Sequence, residues 1–381
     1  MATKVLLLPF LQIKMGHHQA ADALVEHLRA IDPSIECEII DILDYSYGSR
    51  VEGLVSSIYL KWIHFLPVTY SWMYRKNCGG QLHNKRRYRL YEMIFLKAMQ
   101  KLIREKQPDC ILCTHALPSY LLDRLKCNGL LAIPVINVYT DFFVNDVWGR
   151  DGIDYHFVPD SHVKAWLTSR SVQAEHIFVT GIPLHPQFTA PRPQRKEANS
   201  DITVLITGGN LGAGVMKSMC RAIGKTEGVR YIVLCGKNKA LYRHLKKKNC
   251  PNIVPMPYVE SRAEMNDLYN QADAILTKPG GVTISECLYK KVPIFVYHAL
   301  PGQEEINLLR LLHQQLIVHV KDWEEESMDK QVKLLWNNPM IERLTAQMND
   351  YGRQISDLRT TLRHVLKLPE QQQEQELEFK S

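Results

Sequence analysis

No apolar run in the chain reaches the eighteen or so residues that a membrane-spanning helix needs. Its nine cysteines are scattered among 381 residues without a pairing pattern, which suits a reducing cytosol better than a disulfide framework. Cys110-x-x-Cys113 has no second CxxC to complete a metal site. In a strand, positions i and i+3 face opposite sides, so these two are expected to be buried structural thiols. Two nucleotide fingerprints also fail. Gly212-x-Gly214 is followed by Lys217 where a dinucleotide motif needs its third glycine, and Gly224-Lys225-Thr226 has Met219 where a Walker A loop needs its first. An NAD-dependent enzyme and a P-loop NTPase both lose ground. D-x-D, the paired-carboxylate clamp that holds a divalent ion against a diphosphate, occurs nowhere. Neither a metal nor a cofactor is expected; any leaving-group charge would fall on helix dipoles, glycine amides and lysines such as Lys237 or Lys278.

With 45% hydrophobic and 23% charged residues the chain reads as globular, and its length fits two domains. The Val5–Leu11 run lacks a small-residue cleavage site and flows into a helix, so it is expected as a first strand and not a signal peptide. Short apolar runs alternate with helix-period segments: 4–8, 36–40, 109–114, 134–140 and 155–159, then 202–207, 231–235, 272–277 and 292–297. That alternation predicts α/β domains with parallel, doubly wound sheets. The Pro- and Arg-rich "TAPRPQRKEANS" reads as a linker. The expected division is an N-terminal domain over 1–188, a linker over 189–200, a C-terminal domain over 201–368 and a polar tail over 369–381. Each half opens with a strand, a glycine-containing turn and a helix. Ligands of such sheets bind beyond the C-terminal strand ends, so both openings are expected on one cleft.

Four places carry the chemistry. In "TKPGGVTISECL" a buried strand stops at Pro279-Gly280-Gly281 and a helix follows, with Glu286 placed in its first turn. One reading is a capping box, Thr283-x-x-Glu286. The other is an anion site, in which free N–H groups at a glycine-lined helix start receive phosphate and the carboxylate accepts ribose hydroxyls. Gly208-Gly209-Asn210-Leu211-Gly212 follows another strand, and its glycines favour close approach by a ligand over a plain turn. His17, past the first strand, is placed for acid–base work, whereas His18 suits local backbone satisfaction. Asp141 ends a strand at the same cleft edge, as a base or as a cap.

These stretches together resemble family 28 glycosyltransferases, of the monogalactosyldiacylglycerol synthase and processive diacylglycerol glucosyltransferase type. "TKPGGVTISECLYKKVPIFVYHALPGQEEIN" is similar to their donor-binding segment, "GHHQAADAL" to their first turn, and "NVYTDFFVNDVW" and "VTGIPLHPQF" to the stretches before their hinge. The resemblance runs from about residue 4 to about 365. It implies a GT-B fold and inverting, metal-independent transfer from a UDP-sugar, UDP-glucose or UDP-galactose, to a diacylglycerol-like lipid. It also implies that Glu286 holds the ribose, Gln303, Glu304 and Asn307 read the sugar, the backbone of Val259 meets uracil, and His17 lies near the reacting centre. Lys14-Met15 and Asn210-Leu211 depart from the family pattern, in the acceptor turn and the second phosphate loop.

The net charge is +7, and residues 83–106 alone carry eight Lys/Arg against two Glu, 8 − 2 = +6. Just before them, Tyr59, Trp62, Phe65, Tyr70, Trp72 and Tyr74 crowd one stretch. A core-facing helix with a solvated basic face would look like this. An interfacial surface would too, with Tyr91, Ile94, Phe95, Ala98 and Leu102 as the apolar stripe and Arg86, Arg87 and Arg89 on anionic lipid. The expected place is then cytoplasmic, peripheral on the inner face of the cell membrane. No recognised nucleic-acid module accompanies the basic patch, and no nucleic-acid partner is expected. Two other readings remain: a UDP-sugar epimerase of the same fold, which would work without lipid, and a non-catalytic UDP-sugar-sensing membrane protein, which would bind UDP without turnover.

Overall fold

A computed structural model describes residues 3–10, 16–48, 53, 87–189, 192, 201–208, 215–224, 226–321, 327–337 and 339–368. Trp62, Arg86, Gly209, Asn210 and Gly212 lie outside the described residues.

Two six-stranded sheets organise the chain. The first contains β1 (Lys4–Leu8), β2 (Glu36–Ile39), β3 (Cys110–Cys113), β4 (Val135–Val138), β5 (Tyr155–Val158) and β6 (Ile177–Val179), in the order β2-β1-β3-β4-β5-β6. The second contains β7 (Ile202–Thr207), β8 (Val229–Leu234), β9 (Ile253–Met256), β10 (Ala274–Thr277), β11 (Ile294–Val296) and β12 (Val318–His319), in the order β12-β11-β10-β7-β8-β9. All pairings are parallel. Each sheet grows outward from its first strand, then reverses: the switch points fall between β1 and β3, and between β7 and β10.

The helices of the first half are α1 (Gly16–Ile31), α2 (Ile42–Tyr47), α3 (Arg89–Lys106), α4 (Ala116–Cys127) and α5 (Ser161–Thr168). The second half adds α6 (Val215–Ala222), α7 (Lys239–Lys248), α8 (Arg262–Gln271), α9 (Gly281–Lys290), α10 (Gln303–His313), α11 (Met328–Trp336), α12 (Met340–Gln354) and α13 (Leu358–Leu366). Among the described residues, no helix is long and apolar enough to cross a membrane.

The period-2 pattern of the strands divides the first core in two. Leu6, Leu8, Ile111 and Cys113 meet Phe95, Met99 and Leu102 of α3 on one face. Val5, Leu7, Cys110 and Leu112 meet Leu24 and Leu28 of α1 on the other. Each of these Val, Leu, Ile, Phe and Met side chains, fully buried, contributes about 1.5–3 kcal/mol. Cys110 and Cys113 therefore sit on opposite faces, as free thiols. Burial pushes both thiols up, Cys110 to about 12.

The chain crosses between the halves twice. After β6 it passes Gly181–Thr189 into the second half. At the far end, Ser356 N–H donates to Val179 O at 2.7 Å. Helix α13 then returns to the first sheet, burying Leu358, Leu362 and Val365 against the α1 face. In space, the expected C-terminal unit thus gives up its last helix to the N-terminal core.

Candidate active site

Both switch points open onto the line between the halves. At the first, β1 leads to the start of α1 and β3 to His115. At the second, β7 leads to Gly208 and β10 to Pro279-Gly280. The two helix starts nearly touch: a Cβ on Gly16 would lie 3.2 Å from Val282 Cγ2 of α9. Closer still, a Cβ on Gly281 would lie 2.0 Å from Thr140 O, an overlap only a hydrogen avoids. Gly280 differs, since a Cβ there would meet nothing within 4 Å. Its backbone N–H already reaches Lys278 O at 2.9 Å.

The capping box does not form. Helix α9 starts at Gly281 with Gly280 as its N-cap and no side-chain cap bond. Thr283 lies inside the first turn, and Glu286, the helix's sixth residue, lies in the second turn and not the first. Its carboxylate instead accepts from Tyr269 Oη–H at 2.6 Å. Glu286 is 9% exposed, and burial pushes its carboxyl up to about 7, opposed by the Tyr269 bond and the charge of Arg262. Tyr269 is itself buried, edge-on to Phe188 of the connecting segment at 5.9 Å.

His17 opens α1. Its Nε2 lies 2.6 Å from Phe10 O. A carbonyl only accepts, so Nε2 bears the proton in the neutral ring and Nδ1 the lone pair. The ring lies 4.8 Å from that of His18 and 5.2 Å from that of His115. Burial, and then the neighbouring His115 and His18, hold its pKa well below the ordinary value, so the ring is neutral near pH 7. His115 N-caps α4, its Nδ1 accepting from Leu117 N–H at 3.2 Å, and burial pulls its pKa down to about 4. His115 was not singled out in the sequence, although it sits just past a strand as His17 does.

Asp141 caps no turn. It accepts from Gln303 Nε2 at 2.5 Å and from Asn307 Nδ2 at 2.8 Å, both on α10 of the other half. Burial raises its pKa against these two bonds. Glu304 accepts from Leu300 N–H at 2.6 Å, and its carboxyl is raised by burial while the charge of Lys278 opposes. Lys278 is buried, and burial lowers its pKa while the charge of Glu304 opposes. Val259 is half-buried against the second core, and beside it Tyr258 carries the Lys237 ammonium 5.6 Å from its ring centre. A Cβ on Gly208 would press on Met216 Sδ at 2.7 Å, so close packing accounts for this glycine. Two further cavities, of about 260 and 340 Å³, share only Arg262 with the site residues named above. One is lined by His162, His313 and Tyr351, the other by Asp22, His185 and Arg262.

Helix α3 buries Glu92, Phe95, Met99 and Leu102. The stripe expected at a lipid surface faces the core instead: Phe95 and Leu102 are buried and Tyr91 and Ala98 pack beside them, while Ile94 alone of the five lies outside, with Leu90 and Met93, which are 65% and 74% exposed. Arg87 is not a free surface cation. It donates to buried Glu92, 2.9 Å away, which also accepts from Tyr120. Arg89 and Lys97 are exposed beside the outer apolar residues.

The monogalactosyldiacylglycerol (MGDG) synthase family matches residues 17–184. An uncharacterized glycosyltransferase YkoN of Bacillus subtilis (strain 168) is 43% identical over 95% of this chain and 96% of its own length. A processive diacylglycerol beta-glucosyltransferase of Bacillus pumilus (strain SAFR-032) is 28% identical over 77% of this chain and 76% of its own. Among solved structures, Acinetobacter baumannii MurG superposes with a TM-score of 0.58, at 14% identity, over 96% of this chain and 98% of that one. That likeness concerns the fold alone, a GT-B arrangement of two sheets facing a cleft. By fold and by kinship, the chain belongs to the family 28 glycosyltransferases of the MGDG synthase and diacylglycerol glycosyltransferase type.

Proposed function

We propose that this glycosyltransferase moves a hexose from a UDP-sugar, UDP-glucose or UDP-galactose, to a diacylglycerol-like lipid at a membrane surface, with inversion and without a metal ion. The observation that carries this reading is the pairing of Glu286 with Gly280. A buried carboxylate, oriented by Tyr269, stands one turn behind a helix N-terminus whose glycine leaves open space. The helix end suits the diphosphate and the carboxylate suits the ribose hydroxyls.

On this reading the Gly208–Gly212 loop and Gly280 receive the phosphates. Val259 offers its backbone to uracil, and Gln303 and Glu304 meet the sugar. His17 Nδ1 takes the proton of the acceptor hydroxyl, whose oxygen bonds to the anomeric carbon as the bond from that carbon to the diphosphate oxygen breaks. UDP leaves onto amides and the α9 dipole, and Lys278 adds charge. Asp141, whose carboxyl burial has made more basic than usual, is the second candidate for the base. The lipid arrives over α3, where Leu90 and Met93 stand exposed beside Arg89 and Lys97. That face fits a peripheral protein on the inner side of the cell membrane.

The test is direct. Purified protein, UDP-glucose or UDP-galactose, and vesicles containing diacylglycerol are incubated and the lipids weighed by mass spectrometry. A hexosyl-lipid supports the reading. UDP binding without a product with either donor favours a sensor, and lipid-independent conversion of the nucleotide sugar favours an epimerase.

A further inference from the structure

We propose that Asn307 is an interdomain pin that positions Asp141, and not a reader of the donor sugar. Its role in turnover rests on the transfer reading above. Its role in holding the cleft closed does not.

Asn307 is 1% exposed and its amide is spent on protein partners. Nδ2 donates to Asp141 Oδ1 at 2.8 Å and to Pro279 O at 3.1 Å, while Oδ1 accepts from Phe142 N–H at 2.9 Å. Both protons of the amide nitrogen are therefore engaged, and neither is left for a sugar hydroxyl. Gln303 is different. It is half-buried at the start of α10 and makes one bond, to Asp141 Oδ2.

The partners of Asn307 lie at the ligand edges of both sheets. Asp141 and Phe142 follow β4, Pro279 follows β10, and Asn307 stands in the second turn of α10. The same segment after β4 is seated again where Thr140 O rests on Gly281. Phe142 is buried and packs on Tyr351 of α12, their ring centres 6.4 Å apart. Asp141 is half-buried, and its two carboxylate oxygens rest on the side-chain amides of Gln303 and Asn307. When a donor sugar draws Gln303 away, Asp141 Oδ2 is released toward the acceptor while Asn307 keeps Oδ1 in place.

The test compares the parent with Asn307→Ala, Asn307→Asp, Gln303→Ala and the reciprocal pair Asp141→Asn with Asn307→Asp. Without ligand, hydrogen exchange over residues 139–145 reads the Phe142 amide. Exchange should accelerate in Asn307→Ala and at least as much in Asn307→Asp, whose new carboxylate faces Asp141. It should stay parental in Gln303→Ala and recover in the reciprocal pair. In turnover, Asn307→Ala should lower kcat by about tenfold to a hundredfold, the fold-change of a lost hydrogen bond to a charged group. KM for the UDP-sugar and Kd for UDP should stay within about threefold, the change expected when no donor contact is lost. Parental exchange in Asn307→Ala overturns the pin, as does a raised KM with kcat intact, the mark of a sugar reader. If Asn307→Ala does not fold, recovery of exchange in the reciprocal pair supports the pin and its failure overturns it. If the parent neither binds UDP nor transfers hexose, the transfer reading fails, and the exchange results still decide the pin.

Discussion

Replacing Glu286 with glutamine should remove a titration that both folding and nucleotide binding feel. Burial moves this carboxyl from 4.5 to about 7. Between those values the folded protein binds a proton that the unfolded chain has lost, so stability falls as pH rises through the window. Below about 4.5 both states are protonated and nothing is lost; above about 7 the full cost is present, about 3 kcal/mol at 1.36 kcal/mol per unit. Glutamine keeps an oxygen for the Tyr269 hydroxyl but does not titrate. Urea unfolding of both proteins from about pH 5 to about pH 8 should therefore show Glu286→Gln gaining on its parent by up to about 3 kcal/mol. Nucleotide binding reads the same group in reverse. In the proposed donor pose ribose hydroxyls donate to the ionised carboxylate, so UDP should expel about half a proton per site near pH 7, where Glu286 is about half protonated. Calorimetry in two buffers of different ionisation enthalpy measures that release, and the difference from Glu286→Gln cancels the proton chemistry of UDP itself. Glu286→Ala should also weaken UDP by about 1–3 kcal/mol. A pH-independent stability difference together with identical proton release in parent and glutamine variant would refute the reasoning.

The other predictions divide the site among its parts. Gly280→Ala should fold with a stability change within about 0.5 kcal/mol, since its Cβ meets nothing, yet lose UDP affinity in calorimetry. Gly281→Ala should lower the melting temperature, because its Cβ strikes Thr140 O. Transfer should persist in excess EDTA, given a sequence without D-x-D; activity abolished by chelator and restored by magnesium or manganese contradicts the mechanism. Arg89→Gln with Lys97→Gln should weaken sedimentation with anionic vesicles by about 2 kcal/mol, roughly thirtyfold, and remove its salt dependence. Leu90→Ser with Met93→Ser should instead remove the salt-insensitive part; parental binding by both variants would mean the lipid approaches elsewhere.

The strands most legible in the sequence are the central β3, β4 and β10, which are buried along their whole length. Three strands escaped: β6, β9 and β12. Each lies at a sheet edge and is only two to four residues long, too short a run to stand out from its surroundings. Helix α3 was legible as amphipathic, and four of the five residues of its expected stripe turn to the core and not to lipid. Buried Glu92, paired with Arg87 and Tyr120, occupies a position that hydrophobic spacing assigns to solvent, while Leu90 and Met93 occupy exposed ones. The return of α13 to the first sheet depends on contacts more than three hundred residues apart, which no local pattern records.

At the site, residue types were legible and partnerships were not. Glu286 was visible as a carboxylate near a helix start, but its partner Tyr269 lies on another helix and carries no motif. Asp141 looked like a strand-end acid, and only the closed cleft reveals its bonds to α10. Gly280 and Gly281 are indistinguishable in sequence, yet they answer to different demands. Gly280 faces open space at the mouth of α9, whereas Gly281 is required by the backbone of Thr140 in the other half. A helix N-terminus built this way can receive an anion on one residue while its neighbour seats the opposing domain. Asp141 follows Thr140 directly, so the contact that brings the halves together also brings this carboxylate to the mouth of α9. Closure and placement of the acid are thus fixed by adjacent residues, and a change of one methyl at Gly281 should disturb both.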